Sequence, residues 1–208
     1  MTAKICHCFG AGEFFCLRTA IDESDMVIAA DGGLQTTESC GISPDFVIGD
    51  FDSLGKIPDG KNITVLPAEK DTTDMFEAVS LGEKNGCTVF HLYGGTGGRL
   101  DHTIANIQLL RHFSEKGYCL YLHGDGYTIT AVTDGEIALD GEKGNYVSVF
   151  SLSDVSEGVR LKNLKYELEN YRLTASFPLG VSNEFTENTA RISVKKGTVA
   201  VYYQEVTL

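Results

Sequence analysis

Short apolar runs rich in β-forming residues recur along the first 124 residues, with helical or loop segments between them. This alternation is typical of an α/β domain in which helices cover a mainly parallel sheet. We therefore predict a three-layer α/β domain over residues 1–124. Its strands are expected at 3–9, 26–30, 46–48, 88–93 and 119–122.

The pattern changes after Gly124, where the helical periodicity disappears. The rest of the chain is a succession of strand-like segments, such as YVSVFSL and TVAVYYQEV, separated by Gly, Asn and Asp. Such a succession predicts a β-sandwich or a small barrel over residues 125–208. The pair Lys196 and Gly197 is expected to form a hairpin turn within it.

The formal net charge of −12 limits the possible partners. An acidic protein repels phosphate backbones and anionic lipids, so we expect no general binding to nucleic acid or to a membrane surface. The sequence contains no apolar segment of about 20 residues, the length that spans a bilayer, and its N-terminus does not resemble a signal peptide. The six cysteines include no CxxC pair, which favours reduced thiols. We therefore expect a soluble cytoplasmic protein.

Two aspartates, Asp50 and Asp52, directly follow the apolar run 46–48. Side chains two residues apart in a strand point to the same side and lie about 6 to 7 Å apart. Two carboxylates so close repel each other unless a cation lies between them, and Mg²⁺ prefers such oxygen ligands. The alternative is a turn in which one of the carboxylates caps backbone N–H groups.

The segment EKDTTDMFEAVSLGEKNG (69–86) has the pattern of a helix. We expect Asp71 to be its N-cap, Asp74 to be its third residue, and Asn85 and Gly86 to end it. Negative charge near the N-terminus of a helix interacts favourably with the helix dipole. Stabilisation of the helix is therefore a sufficient structural explanation for both carboxylates. Asp74 also has the position to bind a cation beyond the end of the helix.

A glycine-rich loop, Gly94–Gly98, separates an apolar strand from a helix and leads into Arg99, Asp101 and His102. Backbone N–H groups in such a loop and at a helix N-terminus bind phosphate, and a guanidinium binds it with two hydrogen bonds. The loop is neither GxGxxG nor GxxxxGK[ST]. A tight turn with a surface ion pair between Arg99 and Asp101 is the structural alternative. Together with the acidic strand and helix ends, the loop favours a metal-nucleotide site.

The ordered motifs of the chain resemble those of the thiamine pyrophosphokinase family. The match extends from about residue 27 to the end of the chain and covers both predicted domains. The motifs are ADGG (30–33), PDFVIGDFDS (44–53), KDTTD (70–74), GGTGGRLDH (94–102), LKNLKYELEN (161–170) and VSNEF (181–185).

The resemblance implies a homodimer in which each chain has an α/β catalytic domain followed by an all-β sandwich. It implies an enzyme that uses Mg²⁺ and transfers the terminal pyrophosphoryl group of ATP to the hydroxyethyl oxygen of thiamine, with AMP as the other product. Each thiamine site is expected where the catalytic domain of one subunit meets the sandwich of the other.

The resemblance also assigns roles to individual residues. The metal ligands are expected to be Asp50, Asp52, Asp74 and Asp101. The same four residues and Asp71 form the catalytic set, with Asp74 or Asp71 as the general base and His102 as the second choice. The nucleotide side is assigned to Asp31, Gly95, Gly97, Gly98, Arg99 and His102. Thiamine binding is assigned to Thr73, Asp74, Ser182 and Asn183.

One segment departs from the family pattern, because Phe9-Gly10-Ala11-Gly12 stands where many relatives have Ala-Asn-Gly. Two other functions use the same acids and glycine loop, namely a nucleotide sensor without catalysis and a Mg²⁺-dependent phosphohydrolase. Neither needs the SNEF segment at 182–185, which favours the pyrophosphokinase.

Overall fold

The computed structural model describes residues 3–51, 62–67 and 69–205. The chain forms two compact units, which are described separately. The first consists of Met1–Asn106 with Leu122–Gly124, and the second of Ile107–Tyr121 with Asp125–Leu208. The domain boundary that the sequence pattern predicts after Gly124 stays a prediction.

The first unit is built on a parallel sheet with the strand order β5-β1-β2-β3-β4. Its strands are β1 (Ile5–Phe9), β2 (Met26–Ala30), β3 (Phe46–Gly49), β4 (Ile63–Val65) and β5 (Val89–Tyr93). Its helices are α1 (Gly33–Ser39), α2 (Asp74–Lys84) and the first half of α3 (Leu100–Ser114). The strand β6 (Cys119–His123) contributes its last two residues to this unit.

The predicted fold class is confirmed: a mainly parallel α/β part precedes an antiparallel β part. The five predicted strands of the first part are present, each within two residues of its expected ends. They form because apolar runs such as Met26–Ala30 are buried along their whole length, as strands covered on both faces must be. The strand β4 was not predicted; it is only three residues long, and its side chains are partly or fully exposed.

The start of α2 differs from the expectation. Thr73 is the N-cap, with extended backbone, and its hydroxyl oxygen accepts a hydrogen bond from the Phe76 amide at 3.2 Å. The prediction that Asp71 caps this helix is therefore wrong, and Asp74 is the first helical residue rather than the third. The predicted end is confirmed, since Asn85 is the C-cap and Gly86 follows with a φ of +82°.

Side chains alternate between the two faces of the central strand β1. Cys6 and Cys8 lie on the face covered by α2, where the Cα of Gly82 passes so close that a Cβ there would be 3.2 Å from the Cys6 sulfur. His7 and Phe9 lie on the other face. There Phe9, Val27 and Tyr93 form a cluster with apolar residues of the 10–25 connection and of the α1–β3 loop, namely Phe14, Leu17, Ile21 and Ile42.

A row of aromatic rings continues along this second face. His7 stacks on His91 with ring centroids 5.2 Å apart, and His91 stacks on His123 at the same distance. The ring nitrogens His91 Nδ1 and His123 Nε2 are 2.9 Å apart. All three imidazoles are buried, and His7 Nε2 lies 3.2 Å from the Asp25 carboxylate. Burial lowers the pKa of His91 to about 3, with smaller contributions from His123 and His7.

The second unit contains two antiparallel sheets that share one apolar core. Its strands after β6 are β7 (Tyr127–Thr133), β8 (Glu136–Asp140), β9 (Tyr146–Ser151), β10 (Val155–Lys162), β11 (Leu168–Thr174), β12 (Gly180–Glu184), β13 (Thr189–Ser193) and β14 (Thr198–Gln204). One sheet has the order β12-β9-β14-β7 and the other β11-β10-β13-β8. Val149 and Val199 of one sheet pack in the same cluster as Leu161 and Ile192 of the other. The unit is thus a sandwich rather than a barrel.

The hairpin predicted at Lys196 and Gly197 is wrong. Gly197 does turn the chain, with a φ of +101°, but the strands on its two sides belong to different sheets. β13 pairs with β8 and β10, whereas β14 pairs with β7 and β9. The segment therefore crosses from one sheet of the sandwich to the other.

All six cysteines carry free thiols. The Cys6 and Cys8 sulfurs lie 3.6 Å apart in the core, and the hydrogen bond between them is the main cause that raises the pKa of Cys6. Within the part of the chain that the structure describes, no helix is both long enough and apolar enough to cross a bilayer.

Candidate active site

Several residues predicted for the site follow the carboxyl ends of the parallel strands of the first unit. β2, β3 and β4 extend to one side of β1 in chain order, whereas β5 lies on the other side. The order therefore reverses between β1 and β5. Open α/β sheets bind their ligands at such a point, in the crevice beyond the strand ends.

A pocket of about 430 Å³ lies at this point. Its walls are the segment after β1, the glycine loop after β5 and the N-terminus of α2. The lining residues are Gly10, Ala11, Gly12, Ala30, Asp31, Thr73, Asp74, Met75, Gly94, Gly95, Thr96, Gly97, Gly98, Arg99, His102 and Asn106. The structure thus brings together nine of the residues predicted for the site: Asp31, Thr73, Asp74, Gly95, Gly97, Gly98, Arg99, His102 and, beside Arg99, Asp101.

The segment Gly10–Glu13 runs alongside the glycine loop and continues the β1–β5 pairing beyond the strands. The Gly10 amide donates to the Tyr93 carbonyl at 2.8 Å, and the Gly12 amide donates to the Gly94 carbonyl at 2.8 Å. The two backbones approach so closely that a Cβ on Gly12 would lie 2.5 Å from the Gly94 oxygen. The divergent FGAG segment is therefore a wall of the pocket.

The backbone of the glycine loop adopts conformations that are unfavourable for residues with a side chain. Gly94, Gly97 and Gly98 have φ values of +62°, +76° and +58°. This left-handed region is easily reached only by glycine, which explains the composition of the loop. The loop then enters α3 at Leu100, so a helix N-terminus faces the same region.

Asp31 and Asp50 follow the neighbouring strands β2 and β3. The Asp31 amide donates to the Ile48 carbonyl at 2.7 Å, which fixes Asp31 against the end of β3, and its φ is +47°. A left-handed φ at a residue other than glycine is uncommon and marks strained backbone, which clusters at functional sites. Asp50 is one residue beyond Gly49, whose backbone contacts Asp31.

At the N-terminus of α2, Asp74 forms an ion pair with Lys70 at 2.9 Å and remains partly exposed. Thr73 is occupied as the helix cap, as described above. Asp71 lies outside the helix and is exposed. Of the two carboxylates predicted here, only Asp74 lines the pocket.

The predicted phosphate and metal ligands after the glycine loop contact each other. Arg99 donates from Nε to Asp101 Oδ1 at 3.2 Å and from Nη2 to Oδ2 at 2.6 Å. These hydrogen bonds lower the pKa of the Asp101 carboxyl and raise that of the Arg99 guanidinium. Both side chains are well exposed, at 73% and 64%, so solvent screens the pair. The adjacent His102 is exposed and lines the pocket.

Among residues 3–51, 62–67 and 69–205, no three His, Cys, Asp or Glu side chains are arranged to hold a metal ion. Asp50, Asp74 and Asp101 belong to this part of the chain. The fourth predicted metal ligand, Asp52, lies outside the described residues.

The two residues predicted to bind thiamine in the sandwich, Ser182 and Asn183, differ in their surroundings. Ser182 is exposed and has a φ of +57°. Asn183 is buried, and its side chain forms hydrogen bonds with both the amide and the carbonyl of Tyr166, at 2.9 and 2.8 Å. Tyr166 itself is 61% exposed. The Asn183 amide thus holds in place a residue whose ring faces solvent.

Several residues of the pocket were not predicted from the sequence. Gly10 and Gly12 could have been found, since two glycines directly after an apolar strand signal a close backbone approach. Met75 and Asn106 could not, because each sits in a helix where its type has ordinary structural uses. Asn106 lies on α3, is 5% exposed, and donates from Nδ2 to the Gly95 carbonyl at 2.7 Å.

Two segments of the chain match models of a single protein family. Residues 17–122 match the profile described as "Thiamin pyrophosphokinase, catalytic domain", and residues 135–199 match "Thiamin pyrophosphokinase, vitamin B1 binding domain". Thiamine pyrophosphokinase of Bacillus subtilis (strain 168) is 30% identical over 183 residues, which are 85% of this chain and 86% of that protein.

Solved structures give the same result. The crystal structure of thiamine pyrophosphokinase from Bacillus subtilis has a TM-score of 0.86 at 27% identity, covering 98% of this chain and 100% of that one. The enzyme from Geobacillus thermodenitrificans has a TM-score of 0.83 at 26% identity, covering 98% of each chain. The resemblance seen in the motifs is confirmed, and the chain belongs to the thiamine pyrophosphokinase family.

Proposed function

We propose that this protein is a thiamine pyrophosphokinase, which makes thiamine diphosphate and AMP from thiamine and ATP. The observation that carries the proposal is the pocket at the strand-order reversal, where a glycine loop and a helix N-terminus meet the carboxylates of Asp31 and Asp74. The substrates are inferred from the thiamine pyrophosphokinase family, whose models match residues 17–122 and 135–199.

The reaction requires the thiamine hydroxyl oxygen to attack the β-phosphorus of ATP. The bond between that phosphorus and the α,β-bridging oxygen breaks, AMP leaves, and the hydroxyl proton passes to a base. Phosphoryl transfer of this kind depends mainly on alignment and on neutralising phosphate charge. Alignment and charge neutralisation are assigned here to the N–H groups of Gly95, Gly97 and Gly98 and to the Arg99 guanidinium. Asp31 and His102 are assigned to the same nucleotide site.

Mg²⁺ fits the proposed donors by their chemistry, since carboxylates are the hard oxygen ligands that it prefers. We assign Asp50, Asp52, Asp74 and Asp101 as the residues that would hold it. When bound, Mg²⁺ neutralises and aligns the phosphate oxygens. Asp101 becomes available only after its hydrogen bonds to Arg99 open, and Asp74 has to leave or share Lys70.

The general base is assigned to Asp74, with Asp71 as the alternative in the same segment. Asp74 lines the pocket, and Asp71 is exposed beside it. The ion pair with Lys70 at 2.9 Å holds the Asp74 carboxylate at the start of α2, beside the pocket. His102 lines the same pocket and remains the second choice.

For thiamine, we assign contacts to Thr73, Asp74, Ser182 and Asn183. Ser182 is exposed with a left-handed backbone, which supports a direct contact. The bonds of Asn183 to Tyr166 support an indirect role for that amide, through the exposed Tyr166 ring. An aromatic ring suits a cationic ligand such as thiamine because its face attracts positive charge.

We further propose a homodimer with each thiamine site completed by the partner, working in the cytoplasm without nucleic-acid or membrane partners. Leu100 and Ile104 of α3 are 71% and 51% exposed, and such apolar surface next to a site favours a protein contact. The six free thiols suit a reducing compartment. The net charge of −12 opposes binding to nucleic acid and to anionic lipid.

Incubation with ATP, Mg²⁺ and thiamine tests the proposed reaction. AMP and thiamine diphosphate are expected in equal amounts, and both should depend on thiamine. Phosphate release that does not need thiamine would identify a hydrolase instead. Binding of ATP without any turnover would identify a nucleotide sensor.

A further inference from the structure

Three consecutive carbonyl oxygens of the glycine loop accept hydrogen bonds from the protein. The Gly94 oxygen accepts from the Gly12 amide at 2.8 Å, and the Thr96 oxygen accepts from the Glu13 amide at 3.2 Å. Between them, the Gly95 oxygen accepts from Asn106 Nδ2 at 2.7 Å. Two of the three donors are backbone N–H groups, which a side-chain substitution does not remove. The third is the side chain of Asn106, so a substitution at this position removes one of the three hydrogen bonds.

The Gly95 peptide has little room to adopt another orientation. A Cβ on Gly95 would lie 2.6 Å from the Leu122 side chain and 3.0 Å from Asn106 Nδ2. Asn106 is 5% exposed and Gly95 is buried, so bulk water has little access to this hydrogen bond. Loss of the amide would leave a buried acceptor without its donor, which is costly.

The orientation of this carbonyl decides the direction of the next N–H group. A trans peptide is planar, so its C=O and N–H point in opposite directions, and the described chain contains no cis peptide bond. When Asn106 holds the Gly95 oxygen, the N–H of Thr96, which lines the pocket between Gly95 and Gly97, is directed to the opposite side. The partial negative charge of the oxygen is also neutralised by the amide, in a loop proposed to receive phosphates.

We propose that Asn106 is a positioning residue for the triphosphate of ATP, acting by fixing the Gly95 peptide of the phosphate-binding loop. The proposal rests on the proposed function for the identity of the nucleotide. It predicts that the donor on residue 106, rather than its volume, determines phosphate affinity. An asparagine used only for packing would be replaceable by a side chain of equal shape.

The test compares Asn106→Leu, which keeps a similar volume and removes the donor without adding a charge, with Thr130→Val as the matched control. Thr130 is 1% exposed and donates to the Leu120 carbonyl at the same distance of 2.7 Å, within the second unit. The probes are α,β-methylene ATP with Mg²⁺, which cannot transfer its pyrophosphoryl group, and adenosine, which has no phosphate. Titration calorimetry gives both affinities.

We expect Asn106→Leu to weaken binding of α,β-methylene ATP about tenfold or more, the effect of losing one buried hydrogen bond. Adenosine affinity should change less than about twofold, and Thr130→Val should change neither. In steady state, the KM for ATP should rise while the KM for thiamine stays constant. The adenosine and thiamine values separate positioning from a general loss of structure.

An unchanged affinity for the triphosphate analogue, or equal losses for the analogue and adenosine, would overturn the proposal. If Asn106→Leu does not fold, Asn106→Ala is measured with the same two probes and judged by the same outcomes. Wild-type protein that binds the analogue but forms no AMP would contradict the proposed reaction alone. The comparison of the two probes would still decide the role of Asn106.

Discussion

Arg99 holds both carboxylate oxygens of Asp101, at 3.2 and 2.6 Å, in a pair that faces solvent. Our proposed roles require the two side chains to separate, since Arg99 is to bind phosphate and Asp101 is to bind the metal. An exposed ion pair contributes little to stability, so opening it is not a large obstacle. In this structure the two side chains proposed to bind phosphate and metal therefore lie next to the pocket and neutralise each other's charge.

Arg99→Lys should raise the KM for ATP more than the KM for thiamine. Lysine keeps the charge but loses the planar pair of N–H donors that matches phosphate. The matched control is Arg191→Lys, since Arg191 forms an exposed ion pair with Glu136 at 2.9 Å in the sandwich. Initial rates with each substrate varied in turn measure both constants. A defect confined to thiamine would contradict the assignment of Arg99 to the nucleotide.

Asp50→Asn should abolish nearly all turnover and leave the fold intact. The amide keeps the shape of the side chain but removes the charge proposed to hold Mg²⁺. Turnover and melting temperature are measured on the same preparation, with Asp125→Asn, an exposed carboxylate after β6, as the control. Near-normal turnover of Asp50→Asn would remove Asp50 from the site.

Acid should destabilise the protein through the buried histidine row. The pKa of His91 is about 3 in the folded chain, and about 6.5 is the ordinary value in an unfolded one. Between these values the unfolded state binds a proton that the folded state does not, so stability is full above pH 6.5 and falls as the pH decreases. The expected loss for this residue is roughly 2 kcal/mol from pH 6.5 to 5.

Urea unfolding of His91→Gln over pH 5 to 7.5 tests this pH dependence. The variant should lose stability less steeply than wild type as the pH falls, because one of the buried titrating groups is gone. His112→Gln is the control, since His112 lies exposed on α3. Equal slopes for His91→Gln and wild type would contradict the prediction. The groups facing His91 are His7, His123 and, through His7, Asp25.

The shared-site proposal predicts that two inactive variants complement each other. Asp50→Asn damages the catalytic unit, and Asn183→Ala releases the Tyr166 backbone that Asn183 holds. After subunit exchange, a mixed dimer with sites built across subunits has one intact site and one with both lesions. Random pairing then restores roughly a quarter of the wild-type activity per site.

Mass-tagged subunits confirm that exchange has occurred. If each site were built within one chain, every site of a mixed dimer would keep one lesion. Activity that stays at the level of the separate variants, despite confirmed exchange, refutes the shared site.

Most structural features that depend on one continuous segment were predicted correctly from the sequence. The buried strands were found because runs such as Met26–Ala30 are apolar throughout, and the glycine loop because closely spaced glycines disfavour both helix and strand. The N-cap of α2 was misassigned because KDTTD contains two good capping residues, Asp71 and Thr73. Only the path of the chain decides which of them the helix uses.

Contacts between residues that lie far apart in the sequence could not be predicted from it. Lys196 and Gly197 form a turn, but a turn signal does not tell whether the strands beside it pair with each other. Similarly, nothing near Asn183 in the sequence shows that its amide bonds to Tyr166, 17 residues earlier. The same is true of Asn106 and Gly95, whose contact depends on how α3 packs.

The close approach of Gly12 and Gly94 has a consequence for how this enzyme can diverge. A Cβ at position 12 would lie 2.5 Å from the Gly94 oxygen, and a Cβ at position 94 would lie 2.4 Å from the Gly10 oxygen. Neither position can gain a side chain while the other segment stays where it is. In evolution the two segments are therefore expected to change together, so that a descendant with a larger residue after β1 also carries a re-routed loop after β5.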